Sequence, residues 1–253
     1  MKIVWVSANK FGYELLREAI RFTRINPVIT LSERATTKMY DCSNLDKKRL
    51  EILTSLHKIK LIKTEHINNE VETLKEIKPD YIIVAGWRQI ISQEILGIPK
   101  YGVIGFHPTP LPIGRGPAPI INSILLGWRG SASTMFFYND KVDAGDIISQ
   151  EYFEIESTDY AIDVYNKYIE ASKKLLHFYL PLLEDGELAR RPQDESKATY
   201  FPKRTLQDNQ ITMFDSIEMI DRKIRAFSKP YLGAFFERNG KKLIIERCHF
   251  EEM

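Results

Sequence analysis

The chain has 253 residues, 43% hydrophobic, 28% charged and 11% aromatic, which is enough apolar side chain for a sizeable core and too much for global disorder. That length accommodates one large domain, or one domain with a small appendage. Its 36 Lys and Arg against 34 Asp and Glu leave a formal charge of +2, which argues against a protein built mainly to coat nucleic acid.

In chain order, Ile3 to Ser7 reads as a buried strand, apolar and β-branched. Phe11 to Phe22 carries Leu15, Leu16, Ile20 and Phe22 at helical spacing, and Pro27 to Leu31 is a second short apolar run. Strand, helix, strand at this spacing begins a parallel α/β sheet with right-handed crossovers. Ser32 to Leu45 is polar and aperiodic, so a loop is expected there. Asn44 is placed to cap a helix from Leu45 to Leu56, and Lys60 to Lys63 resembles a short strand. A helix from about Asn68 to Ile77 should stop before Pro79, with a doubly buried strand at Tyr81 to Ala85. Tyr101 to Phe106 is a further strand leading straight into His107. Ser133 to Tyr138 and Ile147 to Ile155 look like antiparallel partners, and Ala161 to Leu182 is the longest helical pattern. Leu182 to Phe201 is turn-rich. A composition break near Phe201-Pro202-Lys203-Arg204 divides the chain into residues 1–203 and a 204–253 appendage. In that appendage a helix from Ser216 to Phe227 precedes a hairpin at Asn239-Gly240, a strong type I′ turn signal. The fold class expected is α/β: a Rossmann-like, mostly parallel sheet with flanking helices, plus a short α+β tail.

The longest apolar run, about Tyr81 to Trp87, falls far short of the ~20 residues of a membrane span, and Ile3 to Val6 is too short for a signal-peptide core. Two lone cysteines, Cys42 and Cys248, form no CxxC pair and point to a reducing compartment. The cytoplasm is the address expected, with no membrane partner.

The chemistry concentrates in Gly105-Phe106-His107-Pro108-Thr109-Pro110-Leu111-Pro112-Ile113-Gly114-Arg115-Gly116. A histidine leaves a strand for a Pro/Gly-rich loop, at the carboxyl edge of the sheet where open α/β folds bind ligands. Later comes the acidic turn Val142-Asp143-Ala144-Gly145-Asp146. An Asp hydrogen-bonded to a His fixes its tautomer and favours its protonated form, which prepares it for proton transfer. Arg115, between two glycines, is free either to fork onto a phosphate or to bind a nearby carbonyl or carboxylate.

These motifs, with Met1-Lys2-Ile3-Val4, Phe11-Gly12, Pro79-Asp80-Tyr81-Ile82-Ile83-Val84-Ala85-Gly86-Trp87, Ile98-Pro99-Lys100-Tyr101-Gly102, Ala118-Pro119-Ile120, Phe201-Pro202-Lys203-Arg204-Thr205, Ile224-Arg225-Ala226-Phe227 and Gly233-Ala234-Phe235, cover nearly the whole chain. In order and spacing it resembles the formyltransferase superfamily that includes glycinamide-ribonucleotide and methionyl-tRNA formyltransferases. The resemblance implies transfer of a formyl group from N10-formyltetrahydrofolate to an amine, with no metal, and with His107 and Asp143 as the catalytic pair. It also implies that the pteridine lies along Gly86, Trp87, Arg88 and Ile90 and against Asp140, Val142 and Asp143. Trp87 is open to two roles, direct cofactor contact or an ordinary half-buried aromatic. Acceptor contacts are expected from Thr109, Arg115 and Gly116.

One departure matters. The family usually has Asn two positions before the catalytic His, where its amide stabilises the oxyanion, and here that position is Gly105. Losing such a donor costs about 10²–10³ in rate unless something replaces it. Asn122, Ser131, Ser133, Thr134, a backbone N–H or a water are the groups considered for the role. The alternative is a catalytically weakened folate-binding relative. Among acceptors, the 48 residues from 206 to 253 are marginal for the barrel of a methionyl-tRNA formyltransferase, and no nucleic-acid partner is expected. The layout is closest to sugar N-formyltransferases, which act on a nucleotide-linked amino sugar. Phe227, Tyr231, Leu232, Phe235 and Phe236 are too many apolar groups for the appendage to bury alone. They are expected to pack on the main domain or on a second copy in a homodimer.

Overall fold

Alternating side chains on strands buried from both sides call for helices on both faces of the sheet, and the computed structural model, which describes residues 1–37, 47–186 and 188–251, has them. The elements run β1 (Ile3–Ser7), α1 (Lys10–Ala19), β2 (Ile25–Leu31), α2 (Glu33–Thr37), α3 (Lys47–Leu56), β3 (Leu61–Thr64), α4 (Val71–Ile77), β4 (Tyr81–Ala85), α5 (Gln93–Leu96) and β5 (Gly102–His107). After them come α6 (Pro119–Leu125), β6 (Gly130–Phe137), β7 (Ile147–Glu154), α7 (Ala161–Leu182), α8 (Ile217–Phe227), β8 (Ala234–Arg238) and β9 (Lys241–Ile245). Seven strands form one sheet in the order β3-β2-β1-β4-β5-β6-β7. The first five are parallel; β6 and β7 are antiparallel to their neighbours.

The period-two alternation is visible in the core. Ile3, Trp5, Tyr81, Ile83 and Ala85 face the cluster that includes α1 and α7 through Leu15, Leu16, Leu175 and Leu176. Val4, Val6, Ile82 and Val84 face the opposite cluster with Leu74 and Ile95 of α4 and α5. Asn9 caps α1 by accepting from Gly12 N at 3.1 Å. α4 ends on Lys78 in the left-handed conformation, φ 50°, a standard helix stop before Pro79.

The expected elements hold with end shifts of a few residues. The segment 32–45 differs: a short helix, α2, occupies its first part where a loop is expected, because Ser32 Oγ accepts from Ala35 N at 3.2 Å and starts a helical turn. Asn44 and Cys42 lie outside the described residues. The expected helix at 68–77 opens with a tighter 3-10 turn, Ile67–Glu70. α6 gave no signal beforehand, being only seven residues with buried polar Asn122 and Ser123.

The tail does not form a core of its own. Ile211, Ile224, Ala226, Phe227 and Ala234 belong to the same apolar cluster as α7 and β5. The hairpin β8–β9 turns at Asn239 and Gly240, both with positive φ (53° and 68°), as a type I′ turn requires. Among the described residues no helix is long and apolar enough to cross a membrane.

Since Phe227 is 1% exposed, Phe227→Ala should cost about 3–5 kcal/mol. Because the core is shared, denaturant melts should show one transition moved to lower concentration. A separate early step for the tail would contradict the shared core.

Candidate active site

The strand order turns back between β1 and β4, which leaves a crevice at the carboxyl ends of β1, β4 and β5. Ser7, Ala85 and His107 end those strands. At the mouth, Gly86 has φ +67°, and a Cβ there would stand 1.8 Å from Asn9 Oδ1, so only glycine lets the loop after β4 cross the start of α1. Gln89 braces that loop, accepting from Ile67 N at 3.0 Å and donating to Glu65 O at 2.8 Å.

His107 is 6% exposed. Its Nε2 lies 2.8 Å from Gly114 O. A carbonyl only accepts, so Nε2 carries the proton in the neutral ring and Nδ1 presents the lone pair. Nδ1 faces Asp143 Oδ2 at 3.6 Å, an electrostatic contact longer than a hydrogen bond. The expected pair is therefore brought together, but the tautomer is set by the Gly114 carbonyl and not by Asp143. Asp143 is held in turn: its Oδ2 accepts from Gly116 N at 2.9 Å, and Gln193 Nε2 donates to Asp143 O and Gly145 O at 3.0 and 2.7 Å. Its own φ is +53°, a conformation strained for a non-glycine residue by roughly 1–3 kcal/mol.

The three residues expected to contact the acceptor lie within the loop wall. Thr109 is fully buried, its Oγ1 donating to Gly114 O at 3.3 Å. Arg115 is also fully buried. Its Nε donates to Gln193 at 3.1 Å, Nη1 to Glu195 and Tyr200 at 3.0 and 2.7 Å, and Nη2 to Gln193 and Glu195 at 2.8 and 2.7 Å. All five guanidinium protons are thus committed. Arg115 takes the carboxylate-bound role, and the hydrogen bond holds the Glu195 carboxyl below its ordinary range. Gly116 spends its N–H on Asp143. Gln193, Glu195 and Tyr200 were missed in the sequence. They sit in a turn-rich stretch with no periodicity, and only the fold brings them to Arg115.

Of the residues expected to hold the folate, Ile90 and Val142 are exposed on the two loops flanking the crevice, at 76% and 60%. Arg88 and Asp140 are exposed as well, and Trp87 is half-buried. Trp87 Nε1 and Ser7 Oγ are enclosed without a hydrogen-bond partner. Among the described residues no cluster of His, Cys, Asp and Glu could hold a metal ion.

Residues 7–179 match the formyl transferase family model. The chain is 32% identical over 249 residues to a methionyl-tRNA formyltransferase of Halalkalibacterium halodurans, covering 97% of this chain and 77% of that one. In fold it is similar to a 4-N formyltransferase from Francisella tularensis (TM-score 0.74, 19% identity, 100% of this chain and 98% of that one). It is also similar to a sugar 3N-formyl transferase (TM-score 0.66, 21% identity, 96% and 85%). The chain belongs to the formyl transferase family. It is a one-carbon transferase, and a formyl-tetrahydrofolate is its donor.

Arg115→Ala should lower kcat by up to ~10²-fold through misplacement of the Asp143 turn, with the acceptor KM little changed. Steady-state kinetics check this. A large rise in acceptor KM at constant kcat would return Arg115 to the anion-binding role.

Proposed function

We propose that this enzyme transfers the formyl group of N10-formyltetrahydrofolate to the amino group of a nucleotide-linked amino sugar. The observation that carries this reading is the charge state of the tail. Residues 204–253 hold nine Lys and Arg against eight Asp and Glu, and five of the nine cations pair with acids, Lys242 with Glu237 at 3.9 Å among them. Lys223 meets Asp215 at 2.8 Å, Arg225 meets Asp221 at 2.8 Å, Lys229 meets Glu246 at 3.2 Å and Arg204 meets Asp208 at 3.5 Å. A surface that grips tRNA needs unpaired cations facing phosphates; a small acceptor does not. The likeness of fold to a sugar 3N-formyl transferase, over 96% of this chain and 85% of that one, supports the same reading. The 32% identity to a methionyl-tRNA formyltransferase favours the second reading, with tRNA as acceptor.

In this mechanism the acceptor amine attacks the formyl carbon and gives a proton to His107 Nδ1. The Nε2–H bond to Gly114 O holds the ring in place, and the Asp143 carboxylate stabilises the charged imidazolium. As the bond from the formyl carbon to N10 of the folate breaks, His107 returns the proton to N10. Ile90 and Val142 are assigned to the faces of the pteridine. The loop backbone at Gly86, Trp87 and Arg88, with Asp140, is assigned to its polar edge.

Labelled formyl transfer from 10-formyltetrahydrofolate to dTDP- and UDP-linked amino sugars and to methionyl-tRNA tests the proposal. Turnover with a nucleotide sugar is expected, and activity confined to methionyl-tRNA would replace it with the second reading. His107→Ala should reduce kcat by about 10²–10⁴-fold while leaving substrate affinity near its original value.

A further inference from the structure

β5 places Gly105 and His107 on one face of the sheet, two residues apart. In the antiparallel register Gly105 lies opposite Phe136 of β6 and His107 opposite Thr134. Tyr138 is therefore the diagonal neighbour of Gly105 on that same face, within reach of an aromatic side chain. The fit is close. A Cβ at position 105 would stand 2.0 Å from Tyr138 Cε1, 2.7 Å from Cζ and 2.9 Å from the hydroxyl oxygen. The phenol occupies the volume that any side chain at 105 would need.

The ring is well fixed. Tyr138 N donates to Val103 O at 2.8 Å, and the ring stacks on Phe136 with centroids 5.2 Å apart and planes at 28°. No hydrogen bond among the described residues engages its hydroxyl. Burial, with the nearby Asp143 charge, pushes the phenol well above its ordinary range, so it stays protonated and able to donate. The side chains considered for the role from the sequence are hydrogen-bonded elsewhere. Asn122 Nδ2 donates to Pro117 O and Ala118 O, and its Oδ1 accepts from Arg204. Ser131 Oγ donates to Pro108 O, Ser133 pairs with Ser172, and Thr134 Oγ1 donates to Thr109 O.

Attack of an amine on a formyl carbon moves the C=O π pair onto oxygen, and acyl transfer is fast only where a fixed donor meets that charge. We propose that the Tyr138 hydroxyl is that donor, its ring seated in the room that glycine at position 105 leaves and its proton aimed at the formyl oxygen. The phenol keeps its proton throughout. The amine proton moves to His107 and on to the departing folate nitrogen, and the electron pair on oxygen re-forms the C=O as the old C–N bond breaks. This assignment rests on the formyl-transfer reading of the same site.

Tyr138→Phe keeps the ring and removes the donor. It should lower kcat about 10²-fold, with the KM of donor and acceptor within about twofold and thermal stability and 5-formyltetrahydrofolate binding retained. Gly105→Asn alone should also lose activity, since its side chain collides with the ring. In a Tyr138→Ala background, where the volume is vacated, Gly105→Asn should raise kcat about 10-fold or more over Tyr138→Ala, because an amide restores a donor. Retention of kcat within threefold in Tyr138→Phe would overturn the assignment of Tyr138 alone. Absence of transfer by the unmodified enzyme to every acceptor in the panel would overturn the transfer reading, and the assignment with it.

Discussion

The candidate active site depends on a buried guanidinium. Desolvating a cation costs several kcal/mol unless it is fully hydrogen-bonded, and Arg115 meets that demand by drawing Gln193, Glu195 and Tyr200 onto itself. The backbone follows. Arg115 N donates to Thr199 O at 2.9 Å, Phe201 N to Arg115 O at 2.8 Å and Gly114 N to Thr199 Oγ1 at 2.8 Å. The histidine loop and the irregular segment 193–201 are thus zipped together. Gln193 then reaches on to the Asp143 turn. One side chain connects the loop that fixes His107 to the turn that carries its acidic partner, and neither loop has a helix or strand of its own to hold it there.

That arrangement accounts for the strain at Asp143. A positive φ at a non-glycine residue persists where surrounding contacts over-determine it. Here the carboxylate is held by Gly116 N and the carbonyl by Gln193. The result is a carboxylate 3.6 Å from His107 Nδ1, an acceptor facing the nitrogen's lone pair in the neutral ring and an opposite charge facing its N–H in the imidazolium. With Nε2–H committed to Gly114 O, the nitrogen left open for the proposed proton transfer is the one beside Asp143. Tautomer control and charge stabilisation are divided between a backbone carbonyl and a side chain, so each can be placed without compromising the other.

What could be read from the sequence follows from how locally each feature is determined. Doubly buried strands such as Ile3–Ser7 and Tyr81–Ala85, and the amphipathic α7, are set by apolar period, and they were legible. So was the Asn239-Gly240 hairpin, since turn chemistry is local. His107 and Asp143 stood out because a motif surrounds each of them. The role of Arg115 was not legible. Flanking glycines suggested freedom, yet its partners lie about 80 positions downstream, in a stretch without period. Thr109 was likewise expected at a ligand and is buried behind the histidine loop. Contacts of this kind depend on tertiary path, for which neither composition nor periodicity carries a signal.

Gly105 shows the same limit from the other side. Read along the chain, it is a missing amide two residues before the histidine proposed as the proton carrier. Read across the sheet, its notch is filled by the diagonal residue of the next strand. The environment above a sheet face belongs to the pleat and register, and a group can be supplied from either strand provided it arrives at the same point. Glycine at 105 and tyrosine at 138 therefore act as one unit: the first has value only because it lacks a side chain, and the second only because that space exists. A larger residue at 105 would displace the phenol, and a smaller one at 138 would open a hole over Gly105. The shape of the site is then constrained by a pair of residues that no linear motif joins.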